Sequence, residues 1–473
     1  MNNRPRPSAP ATLEILVSAH IALFVVGVSW AFGGNADWVR TPISIWGSFG
    51  VFLTVAALVT RNRDGIHRSA IHWAWPVLAL NALVAASCLT PGFRVLDHGG
   101  DKYLLPVRID WWVPSVARSD VALRALWLFD GIYFSCLNIA LVVSRRSTLR
   151  VILAVAVGNA VALSIFGTVQ KLAASTGIFF GQVATPHMQF FASFVYDNHW
   201  GAFIILMMGA CIGLVIRYAG GKRGAGFFRG PALAGLLAAT LMGLSVPFSG
   251  SRACTLLLGV MTVLAVVRGT PRISRALRIS GIAPTAALAV MVATAILAFA
   301  SVWVIAGDVI EDRAAKTKNQ VAEIWSQGGL GSRSMLYHDT LRMARDRILF
   351  GWGMGSYPTV FPLYNLQESK IDHLPVIYHD AHSDWLQSAA EVGLIGTALL
   401  GASAALPALG ARKSRAGPIP YFLIAGCMLI AAYAWIEFPF GNVAVVLSWW
   451  FCYFAAVQYM RLTPLPEGAG QPA

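Results

Sequence analysis

Charge is what this sequence has least of. Asp, Glu, Lys and Arg make up only 12% of its 473 residues, roughly half the quarter usual in soluble globular proteins. That scarcity argues against a soluble enzyme. Acids are the rarer sign, 22 against 36 bases, which leaves a formal charge of +14. The excess does not indicate a nucleic-acid binder, because a basic face needs a soluble body to carry it. Cysteine is sparse as well. Cys88, Cys136, Cys211, Cys254, Cys427 and Cys452 lie in or beside apolar runs with no C-x-x-C pair, so neither a disulfide framework nor a cysteine metal site is expected. There is no internal repeat, and the first apolar run has no small-residue cleavage site of the kind a removable signal peptide carries.

Apolar residues, by contrast, reach 56%, and the mean hydropathy is +0.62. A helix needs about 20 apolar residues to cross a bilayer. Runs near that length with few charges fall at 13–32, 43–60, 70–89, 120–143, 151–172, 200–216, 231–248, 252–267, 281–306, 385–410, 420–437 and 443–460. The stretch from 231 to 267 is far too long for one span, and Ser249-Gly250-Ser251-Arg252 at its middle reads as a tight hairpin. The pattern predicts an all-α polytopic membrane protein with about 12 transmembrane helices.

Positive residues gather in alternate short connections: Arg61, Arg63 and Arg68; Arg145, Arg146 and Arg150; then 217–229, 268–278 and 412–415. This asymmetry marks the cytoplasmic side and predicts that both termini lie there. Three segments expected to face outward are too long for simple turns, namely about 90–119, 173–199 and above all 307–384. The last mixes both charge signs, as a folded external subdomain does. The expected organisation is therefore 1–306 with the first nine spans and loops 90–119 and 173–199, 307–384 as a large, helical outward-facing loop, and 385–473 with the last three spans and a cytoplasmic tail.

Within the large loop an amphipathic helix is expected at about 332–347, with Leu336, Leu341, Met343 and Ala344 on its apolar face. The glycines of Asp346-Arg347-Ile348-Leu349-Phe350-Gly351-Trp352-Gly353-Met354-Gly355-Ser356-Tyr357 follow a helix instead of a strand, so they suggest a turn-rich connector and not a nucleotide loop. His379, Asp380, His382 and Asp384 have spacings that share a helix face and admit a metal site, but no further ligand cluster accompanies them. The competing reading makes Asp380 the N-cap of the tenth span, with Asp384 favourable in its first turn. Hydropathy brings His382, Arg252, His199 and Glu437 to the outer ends of separate spans, where ionisable groups point to function. Arg124 follows Asp120 by four residues, as a local ion pair would, and Asp130 lies deeper with no obvious partner.

Several of these motifs together resemble the O-antigen ligase and polymerase superfamily. They are Gly331-Ser332-Arg333 with Tyr337, the 346–357 run, Ala381-His382-Ser383-Asp384-Trp385-Leu386-Gln387, and Glu391-Val392-Gly393-Leu394-Ile395-Gly396. Ser249-Gly250-Ser251-Arg252-Ala253 resembles the superfamily's hairpin signature with Ala in place of Gly, and Phe194–Trp200 its Asn-His segment. Ser383 departs from the Asn of many members. The resemblance implies a GT-C-like glycosyltransferase of the bacterial inner membrane with its active site facing the periplasm. Such an enzyme moves a glycan from undecaprenyl diphosphate onto an acceptor hydroxyl of lipid A–core or another glycan, alongside other polysaccharide-assembly proteins. It implies inversion and no cofactor or metal.

In that chemistry Arg252 and Arg333 are the first choices to receive the departing diphosphate, because guanidinium groups suit phosphate oxygens. His382 is the choice for the base or orienting acceptor at the attacking hydroxyl. His199, Asn198, Asp384, Arg124, Tyr337 and Glu437 are expected to bind substrate. A polymerase of the same superfamily is the nearest alternative. A lipid-linked glycan transporter or flippase is the alternative of a different class, although transporters place polar residues at the midplane and show related halves.

Overall fold

A computed structural model of the chain describes residues 11–60, 66–99, 101–107, 109–185, 189–219, 230–279, 332–365, 377–411 and 417–462. Its helices are α1 (Ala11–Trp30), α2 (Asp37–Thr60), α3 (Ile66–Cys88), α4 (Ser119–Val142), α5 (Arg146–Leu172), α6 (Asp197–Ala219), α7 (Pro231–Ser249) and α8 (Arg252–Ile279). They continue as α9 (Ser332–Asp346), the single turn α10 (Tyr357–Val360), α11 (Asp384–Ala411), α12 (Pro418–Tyr433) and α13 (Val443–Arg461). Among the described residues ten helices are long and apolar enough to cross a membrane, and α12 is a shorter apolar helix. In lipid every backbone group must be satisfied within its own segment, which is why apolar runs of this length become helices. The expected span 281–306 lies outside the described residues, as does much of 307–384; every other expected span coincides with a helix.

The protein is an all-α polytopic membrane protein whose α6 and α13 run through the centre of the bundle, where Trp200, Phe203, Phe451 and Phe454 are fully buried. Close approach needs small residues: a side chain on Gly47 of α2 would come within 2.8 Å of the Gly131 backbone of α4. Small residues at such crossings let dispersion contacts hold membrane helices together. The hairpin at 249–252 forms as the sequence predicts, with Gly250 at φ +102 closing α7 and its N–H donating to the Pro247 carbonyl.

One element is unanticipated and three local expectations are corrected. First, the long loop 90–119 holds an antiparallel hairpin, β1 (Phe93–His98) and β2 (Asp101–Pro106), with Phe93 opposite Pro106 and His98 opposite Asp101. Second, the eleventh span ends at Tyr433 instead of 437, which leaves Glu437 on a loop. Phe438 precedes Pro439 and holds φ −121°, ψ 57°, since the proline ring disfavours helical backbone in the residue before it. Third, Ser383, not Asp380, caps α11: its hydroxyl accepts from the Leu386 N–H at 3.4 Å and its carbonyl from the Gln387 N–H at 2.9 Å. Fourth, Leu341 is exposed on α9, whereas Leu336, Met343 and Ala344 are buried as expected.

Those three residues form a second core with Phe93, Ala117, Trp352, Tyr357, Phe361, Ala381 and Ala390. The glycine-rich connector is the turn-rich segment the sequence suggests, and it docks into a break in α11. Gly393 has φ +67°, ψ −176°, a region essentially reserved for glycine. There the Leu394 and Ile395 N–H groups donate to the Ile348 and Leu349 carbonyls, while the Trp352 and Gly353 N–H groups donate to the Ala390 and Glu391 carbonyls. The Glu391 carboxylate accepts from the N–H groups of Gly355 at 2.9 Å and Tyr357 at 3.1 Å. Helix α9 is thereby fixed against the start of α11.

Candidate active site

Five segments meet at one end of the bundle: the start of α6, the α7–α8 hairpin, the first turns of α9, the residues before α11, and the loop 434–442 between α12 and α13. Glu437 is at their centre, its side chain 5% exposed. Its Oε1 accepts from Arg333 Nη2 at 2.5 Å and from Asn198 Nδ2 at 3.3 Å, and its Oε2 lies 3.4 Å from His382 Nδ1. Burial pushes the Glu437 carboxyl up, but the His382 hydrogen bond and the Arg333 charge outweigh it and hold the group below its ordinary value. Burial pulls Arg333 down, and Glu437 more than restores it. The pair is thus an ionised carboxylate beside a charged guanidinium.

An ionised carboxylate only accepts hydrogen bonds, so His382 Nδ1 is the donor to Glu437, and in the tautomer this contact selects Nε2 is the acceptor. The His382 side chain is 28% exposed, which leaves the ring reachable where Glu437 is not. Its backbone sits at φ +51°, uncommon for a residue with a Cβ and costing on the order of 1–3 kcal/mol. The Tyr337 hydroxyl donates to the His382 carbonyl at 2.9 Å, and the Phe438 ring meets the imidazole edge-on at 4.7 Å between centroids. These contacts hold the strained residue in place.

Phe438 also packs against His199, at 5.1 Å, and stacks on Tyr196, at 5.5 Å. His199 Nε2 donates to the Phe438 carbonyl at 3.1 Å, while its Nδ1 accepts from Asn35 Nδ2 at 3.5 Å. Asn442 Nδ2 in turn donates to Asn35 Oδ1 at 3.2 Å. Asp384 accepts the Phe440 N–H at 2.8 Å, and its own N–H donates to the Glu437 carbonyl at 3.3 Å. Asp384 therefore clamps the start of α11 to the loop that carries Glu437.

Asn198 extends the network to the hairpin. Its Nδ2 donates to the Tyr196 hydroxyl at 2.8 Å as well as to Glu437, and its Oδ1 accepts from Ser251 Oγ at 2.5 Å. Arg252, next in the chain, is exposed at the first position of α8. Of the sequence-predicted residues, the structure joins Arg333, His382, Glu437, Asn198 and Tyr337 through direct contacts, adds His199 and Asp384 through the Phe438 loop, and brings Arg252 in beside Ser251. Arg124 stays apart. It is exposed on α4, and the expected Asp120–Arg124 pair is replaced by Arg118, whose Nε and Nη2 grip both Asp120 oxygens at 3.1 and 2.7 Å. Arg118 precedes the helix and can align its planar fork with the carboxylate.

Asp130 has a partner after all, the Asn81 amide of α3 at 3.0 Å. His379, Asp380, His382 and Asp384 do not converge: His382 faces Glu437, Asp384 faces the Phe440 N–H and His379 is exposed. Among the described residues no group of three or more His, Cys, Asp or Glu is arranged to hold a metal ion. Sequence reasoning gave no role to Asn35, Tyr196, Ser251, Phe438 and Asn442, although Ser251 and Tyr196 lie within the hairpin signature and the Asn-His segment and the Phe438-Pro439 dipeptide after an apolar run carries a local signal.

The fold and the site define a multi-pass helical membrane protein with a buried carboxylate bridging an arginine and a reachable histidine. Residues 237–401 match the family model described as O-antigen ligase, and this match supports the O-antigen ligase and polymerase superfamily, whose members are glycosyltransferase-like enzymes. The matched segment contains Arg252, Arg333, Tyr337, His382 and Asp384, while Asn198, His199 and Glu437 lie on either side of it. No curated protein matches the chain.

Proposed function

We propose that this protein is a ligase-type glycosyltransferase that moves a glycan from undecaprenyl diphosphate to an acceptor hydroxyl at the periplasmic face of the inner membrane, in lipopolysaccharide or exopolysaccharide assembly. The observation that carries the reading is the Arg333–Glu437–His382 constellation in and beside the matched segment. The positive short loops set both termini in the cytoplasm, and this end of the bundle then faces the periplasm.

In the proposed reaction the acceptor oxygen attacks the anomeric carbon, a new glycosidic C–O bond forms, and the bond to the diphosphate breaks with its electron pair leaving on phosphate. The hydroxyl proton goes to His382 Nε2. Arg252 and the exposed side of Arg333 neutralise the departing diphosphate, where charge-assisted contacts act on charge that grows in the transition state. With two guanidinium groups in that role the reaction runs without a divalent ion, and attack opposite the leaving group inverts the anomeric centre. Asn198, His199, Asp384 and Tyr337 hold the site's walls, and Arg124 contacts the glycan or lipid away from the reacting bond.

Expression of Arg252→Ala and His382→Ala in a deletion strain provides the test. Each is expected to insert normally and to lose the glycan product, with a rate drop of at least about 10²-fold. Full activity in either variant removes that residue from the mechanism. Intact free polymer that is no longer attached marks a ligase. Loss of a size ladder marks a polymerase.

A further inference from the structure

Both oxygens of Glu437 are engaged by groups with different tasks: Oε1 by Arg333, proposed above to receive the donor diphosphate, and Oε2 by His382, proposed to take the acceptor's proton. Arg333 is 44% exposed on the first turn of α9, while Glu437 is buried beneath it. The arginine reaches solvent and ligand; the carboxylate does not. A phosphate oxygen arriving at Arg333 competes with Glu437 for the same guanidinium N–H groups. A buried carboxylate left without a donor is costly, but Asn198 Nδ2 already lies 3.3 Å from Oε1 and is held by Ser251 and Tyr196, so it stays behind as the replacement donor.

We propose that Glu437 is a positioning residue that couples donor binding to base strength: the lipid diphosphate draws Arg333 off Glu437, and the freed carboxylate charge then acts on His382 alone. Nothing in the exchange is oxidised or reduced. One ion pair is traded for another, and the imidazolium formed when Nε2 accepts the hydroxyl proton is stabilised by a carboxylate no longer shared. Without the donor, Arg333 partly neutralises Glu437 and His382 is a weaker base, which suppresses proton transfer on an empty site. The other groups facing Glu437 are Tyr337 from α9, Asp384 from α11, Tyr196 just before α6, Cys254 from α8 and Tyr433 from α12, and His382 is faced in addition by Asp380. Burial and Glu437 both push the Tyr196 hydroxyl up, so it stays protonated, and burial raises Tyr337 in the same direction. Neither Tyr196 nor Tyr337 takes over as the responding charge.

The inference rests on the donor proposed above, and two readings of the purified full chain separate its failure from that one's. In wild-type protein carrying 15N-labelled histidine, with His382 assigned by its loss in His382→Ala, saturating undecaprenyl diphosphate is expected to raise the His382 titration midpoint by about one pH unit. Above that midpoint the neutral ring should remain in the Nδ1–H tautomer. In Glu437→Gln the lipid is expected to bind about fivefold tighter, because Arg333 no longer has a competitor, at the upper end of what a part-exposed ion pair is worth. Its kcat should fall about 10²-fold with the acid limb of the rate profile moved to lower pH. A residue that merely supported the fold would weaken binding and rate together. Lipid binding with an unmoved His382 midpoint, or with no tighter binding in Glu437→Gln, overturns the coupling alone. No lipid binding to wild type overturns the donor reading and the coupling with it.

Discussion

Glu437 and Asp380 belong to neighbouring turns of the same site yet are displaced in opposite directions. Glu437 is held below its ordinary value by His382 and Arg333 despite burial, and Asp380 is raised by burial although the nearby His382, His379 and Arg40 side chains and the Gln387 hydrogen bond pull it the other way. The signs follow from linkage. A carboxyl depressed in the folded state stabilises the fold above its unfolded value, and that contribution is lost as pH falls through the folded one. A raised carboxyl does the reverse, costing stability as pH climbs from the ordinary to the raised value. Thermal unfolding in detergent at neutral pH is therefore expected to show Asp380→Asn melting higher than wild type and Glu437→Gln melting lower, with the Glu437→Gln deficit shrinking on acidification. Equal melting of all three contradicts the assignment. His382, Arg252 and Glu437 were legible as residues, because ionisable groups at the ends of apolar runs stand out, and Arg333 was legible only through the resemblance of Gly331-Ser332-Arg333 to the superfamily motif. Asn35, Tyr196, Ser251 and Phe438 were not, since their contacts depend on loops that return to the same point from distant parts of the chain.

At the scale of elements, the connector at 347–357 and the break in α11 make one joint. A Cβ on Gly393 would lie 2.2 Å from the Leu349 carbonyl oxygen, and one on Gly351 2.3 Å from that of Glu391. Gly393→Ala is expected to lose at least about 1–3 kcal/mol, since its backbone region suits glycine alone. Lower melting with reduced transfer, although the residue touches no part of the Glu437 cluster, is the outcome a denaturation series should record. Unchanged stability would mean that α11 does not need the break. The sequence carried the glycines but not what they dock into, because the pairing joins residues far apart in the chain. The hairpin in loop 90–119 was more legible than the expectation allowed. His98-Gly99-Gly100-Asp101 between short runs is a recognised turn signal, and Gly99 indeed has φ +67°. The end of α12 was hidden by apolar Trp435 and Ile436, which extend the hydrophobic run past the point where Phe438-Pro439 stops the helix.

At the scale of the whole molecule, hydropathy alone gave an all-α bundle and nearly every span, because length and apolar content are strong signals in lipid. What hydropathy does not contain is which helices touch. The approach of α2 to α4 through Gly47 and Gly131, and the central place of α6 and α13, come from packing. Orientation is tested by thiol labelling of intact spheroplasts in a Cys88→Ser background. Cysteine introduced at Asp37, on the side of the cluster, is expected to react with an impermeant reagent, and cysteine at Ser147 only after lysis. The reverse pattern would turn the proposed active site to the cytoplasm.

Turnover of undecaprenyl-diphosphate-linked glycan by the purified protein in liposomes, supplied with acceptor and EDTA, tests transfer most directly. One undecaprenyl diphosphate released for each glycan joined to acceptor, in wild type but not in His382→Ala, is the predicted result. Movement of intact donor across the bilayer with no bond cleaved would contradict it.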